Sequence, residues 1–248
     1  MSGKKMNGAA PPEGLACHYR SGEGMRSRGV GAALAFATLD IPEAPAAMAA
    51  DWQREILQRL GLEPGDVEPM PLARTRMRWP GLRRCLQATE EWSAGRFAPD
   101  GLLDACEPAL MACRGARYHF DAEHYGAAAF CNLFLSEDKG LDLHFPAIGR
   151  RIPLCRGTAV LFDTAQPHAV IARHASGFEM SDFASGRDDT QVFLSWELPI
   201  EHAGVAAALG VDFDVDALEA SRLHEEQVRL GGRRVRPHPA TGAWETAD

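Results

Sequence analysis

The residues best suited to chemistry are His119 and Asp121, in the run Tyr118–His119–Phe120–Asp121, and His168, in Gln166–Pro167–His168–Ala169–Val170. In an extended strand alternate side chains share a face, so His119 and Asp121 project together. An imidazole and a carboxylate two residues apart offer two ligands to one divalent ion. His168 opens a later apolar run and can add a third, because strands distant in sequence stand side by side in an antiparallel sandwich. Two histidines and one carboxylate on one side of a metal leave its other positions open, the facial arrangement that non-heme Fe(II) uses. A His-x-Asp tripeptide alone is weak evidence. Its plainer alternative is a surface histidine beside a solvated aspartate, and for His168 a capped loop histidine.

These residues need strands to hold them. Short apolar or alternating runs occupy 117–121, 127–136, 141–145, 151–154, 158–162, 169–173 and 191–198, separated by Gly, Pro or Asp. That spacing indicates an antiparallel sandwich or barrel rather than βαβ units. Upstream, Met48, Trp52, Ile56, Leu57 and Leu60 recur at steps of three and four, predicting a helix over 45–62 that stops at Gly61. Further helices are predicted over 82–94, over 101–113 (Leu102, Leu103, Cys106, Leu110 and Met111 forming its apolar face) and over 215–230, closed by Gly231 and Gly232. The stretch 63–80 carries four prolines and reads as loop. The apolar run 30–39 reads as a buried strand. Residues 1–28 read as a flexible tail and 232–248 as a loosely ordered one. The expected class is therefore α+β: a single domain over 29–231, with helical support at 45–113, a jelly-roll core at 115–200 and a closing helix.

The bulk numbers agree. A chain of 248 residues, 46% hydrophobic, buries one full core and is short for two catalytic domains. A net charge of -8 argues against a nucleic-acid groove. The six cysteines form no CxxC pair and no disulfide framework, and read as reduced thiols of a cytoplasmic protein. No apolar run is long enough to span a membrane.

From about residue 115 to 200 the sequence resembles the Fe(II)- and 2-oxoglutarate-dependent dioxygenase family, whose fold is the double-stranded β-helix, a cupin-like jelly roll. The resemblance rests on HFD at 119–121, AAFCNLFLSED at 128–138, GLDLHFP at 140–146, IGRRIPLCRGTAVLFD at 148–163 and QPHAV at 166–170. It implies Fe(II) held by His119, Asp121 and His168, 2-oxoglutarate as co-substrate, O2, and hydroxylation of a small polar molecule such as an amino acid or its derivative. One departure stands out. The family anchors the far carboxylate of 2-oxoglutarate with an Arg, usually as R-x-S at the start of the last core strand, and that strand here reads TQVFLSW. Two candidates remain: Arg173, at the end of the His168 strand, and Arg187, in the loop before the last strand. Arg173 is favoured because a strand end is better ordered than a loop. Asn132, mid-strand among apolar residues, and Tyr125 are candidate contacts for the co-substrate, and His144 for the substrate; the plainer readings are a satisfied structural amide and surface residues. The missing R-x-S keeps open a cupin-like metal enzyme or binding protein that uses the same triad without 2-oxoglutarate. A degenerate fold serving as a partner-binding module is a third reading. Substrate identity and oligomeric state leave no mark on the sequence.

Overall fold

Alternation along the strands builds two facing sheets. The computed structural model describes residues 12, 14–183 and 188–247. The strands, in chain order, are β1 (Leu15–Ser21), β2 (Gly24–Gly29), β3 (Ala35–Thr38), β4 (Val67–Met70), β5 (Ala109–Cys113), β6 (Ala116–His119), β7 (Ala128–Phe134) and β8 (Leu141–Phe145). They continue with β9 (Arg150–Pro153), β10 (Thr158–Asp163), β11 (His168–Ala172), β12 (Gln191–Pro199), β13 (Gln227–Leu230), β14 (Arg233–Pro237) and β15 (Trp244–Thr246). A six-stranded sheet runs β3-β10-β7-β12-β5-β4, and a four-stranded sheet runs β6-β11-β8-β9. The chain from β5 to β12 thus shuttles between the two: β5, β7, β10 and β12 join the larger sheet, β6, β8, β9 and β11 the smaller. All of these pairings are antiparallel.

Each strand of the larger sheet divides its side chains between two cores, as a period of two requires. On one face Leu110, Cys131, Leu133, Leu161, Leu194 and Trp196 pack with Trp52, Trp79, Leu82 and Trp92 of the helical region. On the other, Phe134, Val160, Phe162 and Phe193 meet Leu143, Phe145, Ile152 and Val170 of the smaller sheet. The Phe145 and Phe162 rings meet edge to face across this gap, 5.3 Å between centroids. Each such buried ring contributes about 1.5–3 kcal/mol through lost water contact. Helices Ala46–Glu55 and Leu82–Ala94 fall where the periodicity predicts them, the first continued by a π turn to Leu60.

Several expectations fail, each for a local reason. Residues 101–113 do not form one helix. A short helix, Leu102–Ala105, stops before Pro108, and Ala109–Cys113 is β5; Pro108 cannot continue a helical ladder. Within 63–80 lie β4 and a helix at Leu72–Arg78. The run 30–39 yields only β3, an edge strand with alternating exposure rather than a buried one. The helix expected at 215–230 shrinks to Ala217–Ala220. Gln227–Leu230 is a strand that turns through Gly231 and Gly232, both at positive φ, into β14. Two left-handed residues are the two-residue hairpin turn, which glycine alone enters freely. Both presumed tails contribute to a third, five-stranded sheet, β15-β14-β13-β1-β2. Arg28 of β2 reaches the end of β10 and forms a fully buried bidentate pair with Asp163, at 2.6 and 2.8 Å.

All six cysteines are free. Burial pushes the thiols of Cys17, Cys85 and Cys113 up to about 12, so they act as small apolar side chains. Among the described residues no helix is long and apolar enough to cross a membrane.

Candidate metal centre

Strand pairing brings the three residues together. β6 and β11 are antiparallel neighbours, and His168 stands directly opposite His119. β6 ends at His119, so Asp121 lies just past the strand, at the N-cap of the turn Ala122–Tyr125. An aspartate there normally bonds the free N–H groups of the helix start. Asp121 makes no such bond. Its carboxylate points at the histidines instead, 3.6 Å from His119 Nε2 and 3.4 Å from His168 Nε2.

The second nitrogen of each ring is fixed by backbone. His119 Nδ1 lies 2.7 Å from the Arg117 carbonyl, and His168 Nδ1 lies 3.0 Å from the Gln166 carbonyl. A carbonyl only accepts, so each Nδ1 donates and each Nε2 keeps its lone pair for a metal. One ligand atom from each residue falls within 4.8 Å of the others. Ligands about 2.0–2.2 Å from one ion, at right angles, stand about 3 Å apart, so the carboxylate is within a few tenths of an ångström of that spacing from each imidazole, and the widest pair has further to close. His168 is buried against Phe162 and Phe145, with ring centroids 4.8 and 6.0 Å away. That burial, helped by the neighbouring His119, lowers its pKa to about 4. The imidazole is therefore neutral, as a metal ligand must be.

The triad opens onto a cavity of about 450 Å³ between the two sheets. One wall carries His119, Asp121 and His168 with Leu143 and Val170; the other carries Phe130, Asn132, Phe134, Phe193, Ser195 and Glu197. Tyr125 also lines it, its ring edge-on to Phe130 at 5.2 Å. Ser195 pairs with Asn132 across β12 and β7, and Glu197 with Phe130. Asn132 is 7% exposed, and its Oδ1 has no hydrogen-bond partner.

Other candidates lie elsewhere. Arg173 does not line the cavity: its guanidinium holds Asp138 at 2.8 and 2.9 Å and Asp142 at 2.8 Å. Arg187 lies outside the described residues. His144 points away from the cavity that Leu143 lines, its Nδ1 2.5 Å from the Tyr118 hydroxyl. Among the described residues no Arg or Lys lines the cavity. Sequence reasoning missed Phe193, Ser195 and Glu197. The signal was present: they alternate with Val192, Leu194 and Trp196, which the helical core claims.

No family model and no curated protein sequence matches the chain. Solved structures are similar at low identity. A Pseudomonas putida prolyl-4-hydroxylase is 16% identical over 67% of this chain and 92% of its own, with a TM-score of 0.39. EvdO2 from Micromonospora carbonacea var. aurantiaca is 13% identical over 67% and 86%, with a TM-score of 0.40. SnoN, a non-heme alpha ketoglutarate dependent epimerase from nogalamycin biosynthesis, is 11% identical over 66% and 78%, with a TM-score of 0.33. At these scores the likeness carries no argument, and the site is read from its own geometry.

Proposed function

We propose that this chain is a mononuclear non-heme Fe(II) oxygenase on a double-stranded β-helix, hydroxylating a small organic molecule. The observation that carries the reading is the convergence of His119, Asp121 and His168 on the wall of a shaped, largely apolar cavity. The alternation of eight successive strands, β5 to β12, between two facing sheets supports the fold. Bound Fe(II) supplies a centre with open positions for O2 and a second reactant. The protein's own residues do the rest. The Arg117 and Gln166 carbonyls fix both rings. The Asp121 carboxylate offsets part of the cation's charge. Phe130, Phe162 and Phe193 exclude water, and the free Asn132 carbonyl orients a polar group. The free, buried cysteines support a reducing, cytoplasmic setting.

2-Oxoglutarate is the co-substrate that the sequence resemblance implies, and its far carboxylate needs a bidentate cation. The described cavity offers none, and Phe193 stands two residues before Ser195, where R-x-S would place the Arg. The residues described do not fit that end of the molecule. This favours a second reading, a metal enzyme using the same triad without 2-oxoglutarate.

Anaerobic titration with Fe(II), then with 2-oxoglutarate, tests both. Fe(II) binding that is lost in His119→Ala and His168→Ala supports the metal centre. A visible charge-transfer band on adding 2-oxoglutarate, with succinate release in air, supports the dioxygenase. Iron binding without either supports the second reading. Wild-type iron affinity in both alanine variants would sink the assignment.

A further inference from the structure

The polar groups of the cavity are one-sided. Beyond the triad, its polar lining residues are Glu197, Asn132, Ser195 and Tyr125, and among the described residues no Arg or Lys lines it. Glu197 has no ion pair and no side-chain hydrogen bond among the described residues. It is exposed, at the cavity mouth, while Asn132 is buried deeper along the same sheet face. Their register makes them diagonal neighbours: Asn132 opposes Ser195, and Glu197 opposes Phe130. Such pairs are within reach of one bound group. The Asn132 oxygen is buried with no hydrogen-bond partner among the described residues, and a half-turn of the amide would aim it into the cavity, where a donor on a bound molecule would satisfy it. Around these acceptors stand the rings of Tyr125, Phe130, Phe134 and Phe193. Aromatic faces carry negative potential and attract cations. Acceptors, a free carboxylate and ring faces together favour a cationic donor and repel an anion.

We propose that the cavity takes an amine: a molecule with an apolar body whose ammonium group is held between Glu197 and the Tyr125 and Phe130 rings, with a further N–H or O–H donated to Asn132 Oδ1. This deepens the oxygenase reading by naming its substrate class, and it rests on the metal centre only for the reaction.

The test uses the full chain loaded with Co(II) and two probes of one shape. Benzyltrimethylammonium carries the charge and, having no lone pair on nitrogen, cannot ligate the metal. Neopentylbenzene is its neutral carbon isostere. The cation should bind about tenfold more tightly, the sum of an exposed ion pair and a cation–π contact. Glu197→Gln, at an exposed position that spares the core, should lower cation affinity about fivefold and leave the neutral probe unchanged. Equal binding of the two probes overturns the proposal. So does a cation preference that survives Glu197→Gln intact, or tighter binding of the anionic benzylsulfonate than of either probe. Co(II) affinity is measured in the same samples. Failure of Co(II) to bind, with the cation preference retained, would sink the metal reading and leave the amine site standing. Intact Co(II) binding with no preference would do the reverse.

Discussion

Replacing Arg28 by Met removes a cation from a place with no water. Both side chains of the Arg28–Asp163 pair are fully buried. Asp163 accepts from Arg28 twice and from the Gly31 and Ala165 N–H groups at 2.7 and 2.8 Å. Arg28 also donates Nε–H to the Gly126 carbonyl at 3.0 Å. Breaking a buried pair by removing one partner costs about 3–5 kcal/mol, because the other charge stays behind. The two backbone donors left to Asp163 hold the loss near the lower end, about 3 kcal/mol. For a chain of this size that is a melting shift of roughly 6–12 °C, read by calorimetry on the metal-free protein. Asp163→Asn should cost a similar amount. The double variant should cost at least about 2 kcal/mol less than the two singles added, since it strands no charge. The pair also braces the metal loop. Asp163 opens the turn that leads to His168, and the adjacent Thr164 carbonyl accepts from the Asp121 N–H at 2.8 Å. Co(II) affinity should therefore fall by about tenfold or more in either single variant. A melting shift under about 2 °C with unchanged Co(II) affinity would refute the reasoning.

Three further outcomes are expected. His119→Ala or His168→Ala each removes one of three protein ligands and should abolish stable Fe(II) or Co(II) binding, which isothermal titration checks. Arg173→Lys should leave any 2-oxoglutarate affinity unchanged and cost at most about 1 kcal/mol of stability, because the half-exposed guanidinium serves Asp138 and Asp142 rather than the cavity; a large rise in the 2-oxoglutarate dissociation constant would return it to the site. The metal-free protein should lose stability in acid. The pKa of His168 is lowered to about 4 when folded and is near 6.5 when unfolded, so the unfolded chain binds the extra proton in between. This contribution is complete above pH 6.5 and fades toward pH 4, by on the order of 3 kcal/mol; urea unfolding at pH 7.5 and 4.5 should differ in that direction, and a flat profile counts against a buried neutral His168.

The core strands were legible because their pattern is local: each run between turn residues alternates or stays apolar, and the triad rides on two of them. Helix 82–94 was legible for the same reason at a period of 3.6. The failures lie where distant partners decide. Leu102 to Met111 has helical spacing, and only Pro108 betrays the break. β1 and β2 are rich in Arg, Gly and Ser; β1 is a strand because β13, about 200 residues on, pairs with it, and β2 pairs in turn with β1. Gly231–Gly232 has the composition of a helix stop, although flanking runs of Gln-Val-Arg-Leu and Arg-Arg-Val-Arg make it a hairpin turn. The triad could be named from spacing. Asn132 and Tyr125 were visible beside it, whereas Phe193, Ser195 and Glu197 share a face of β12 whose inward turn depends on which sheet face the helices cover.

The third sheet sets a schedule for the life of the protein. Leu15 pairs with Leu230, so β1 must wait for β13. Contacts so far apart in sequence close late. Arg28 sits on β2, whose other edge is bridged by Phe213, and Asp163 closes β10. During synthesis Arg28, Asp163 and the triad all emerge before β13, so the pair forms on a hairpin that the third sheet has not yet closed. A product truncated before residue 227 would keep the triad, Arg28 and Asp163 but lack the strand that pairs with β1, and any metal it bound should be held more loosely than by the full sheet.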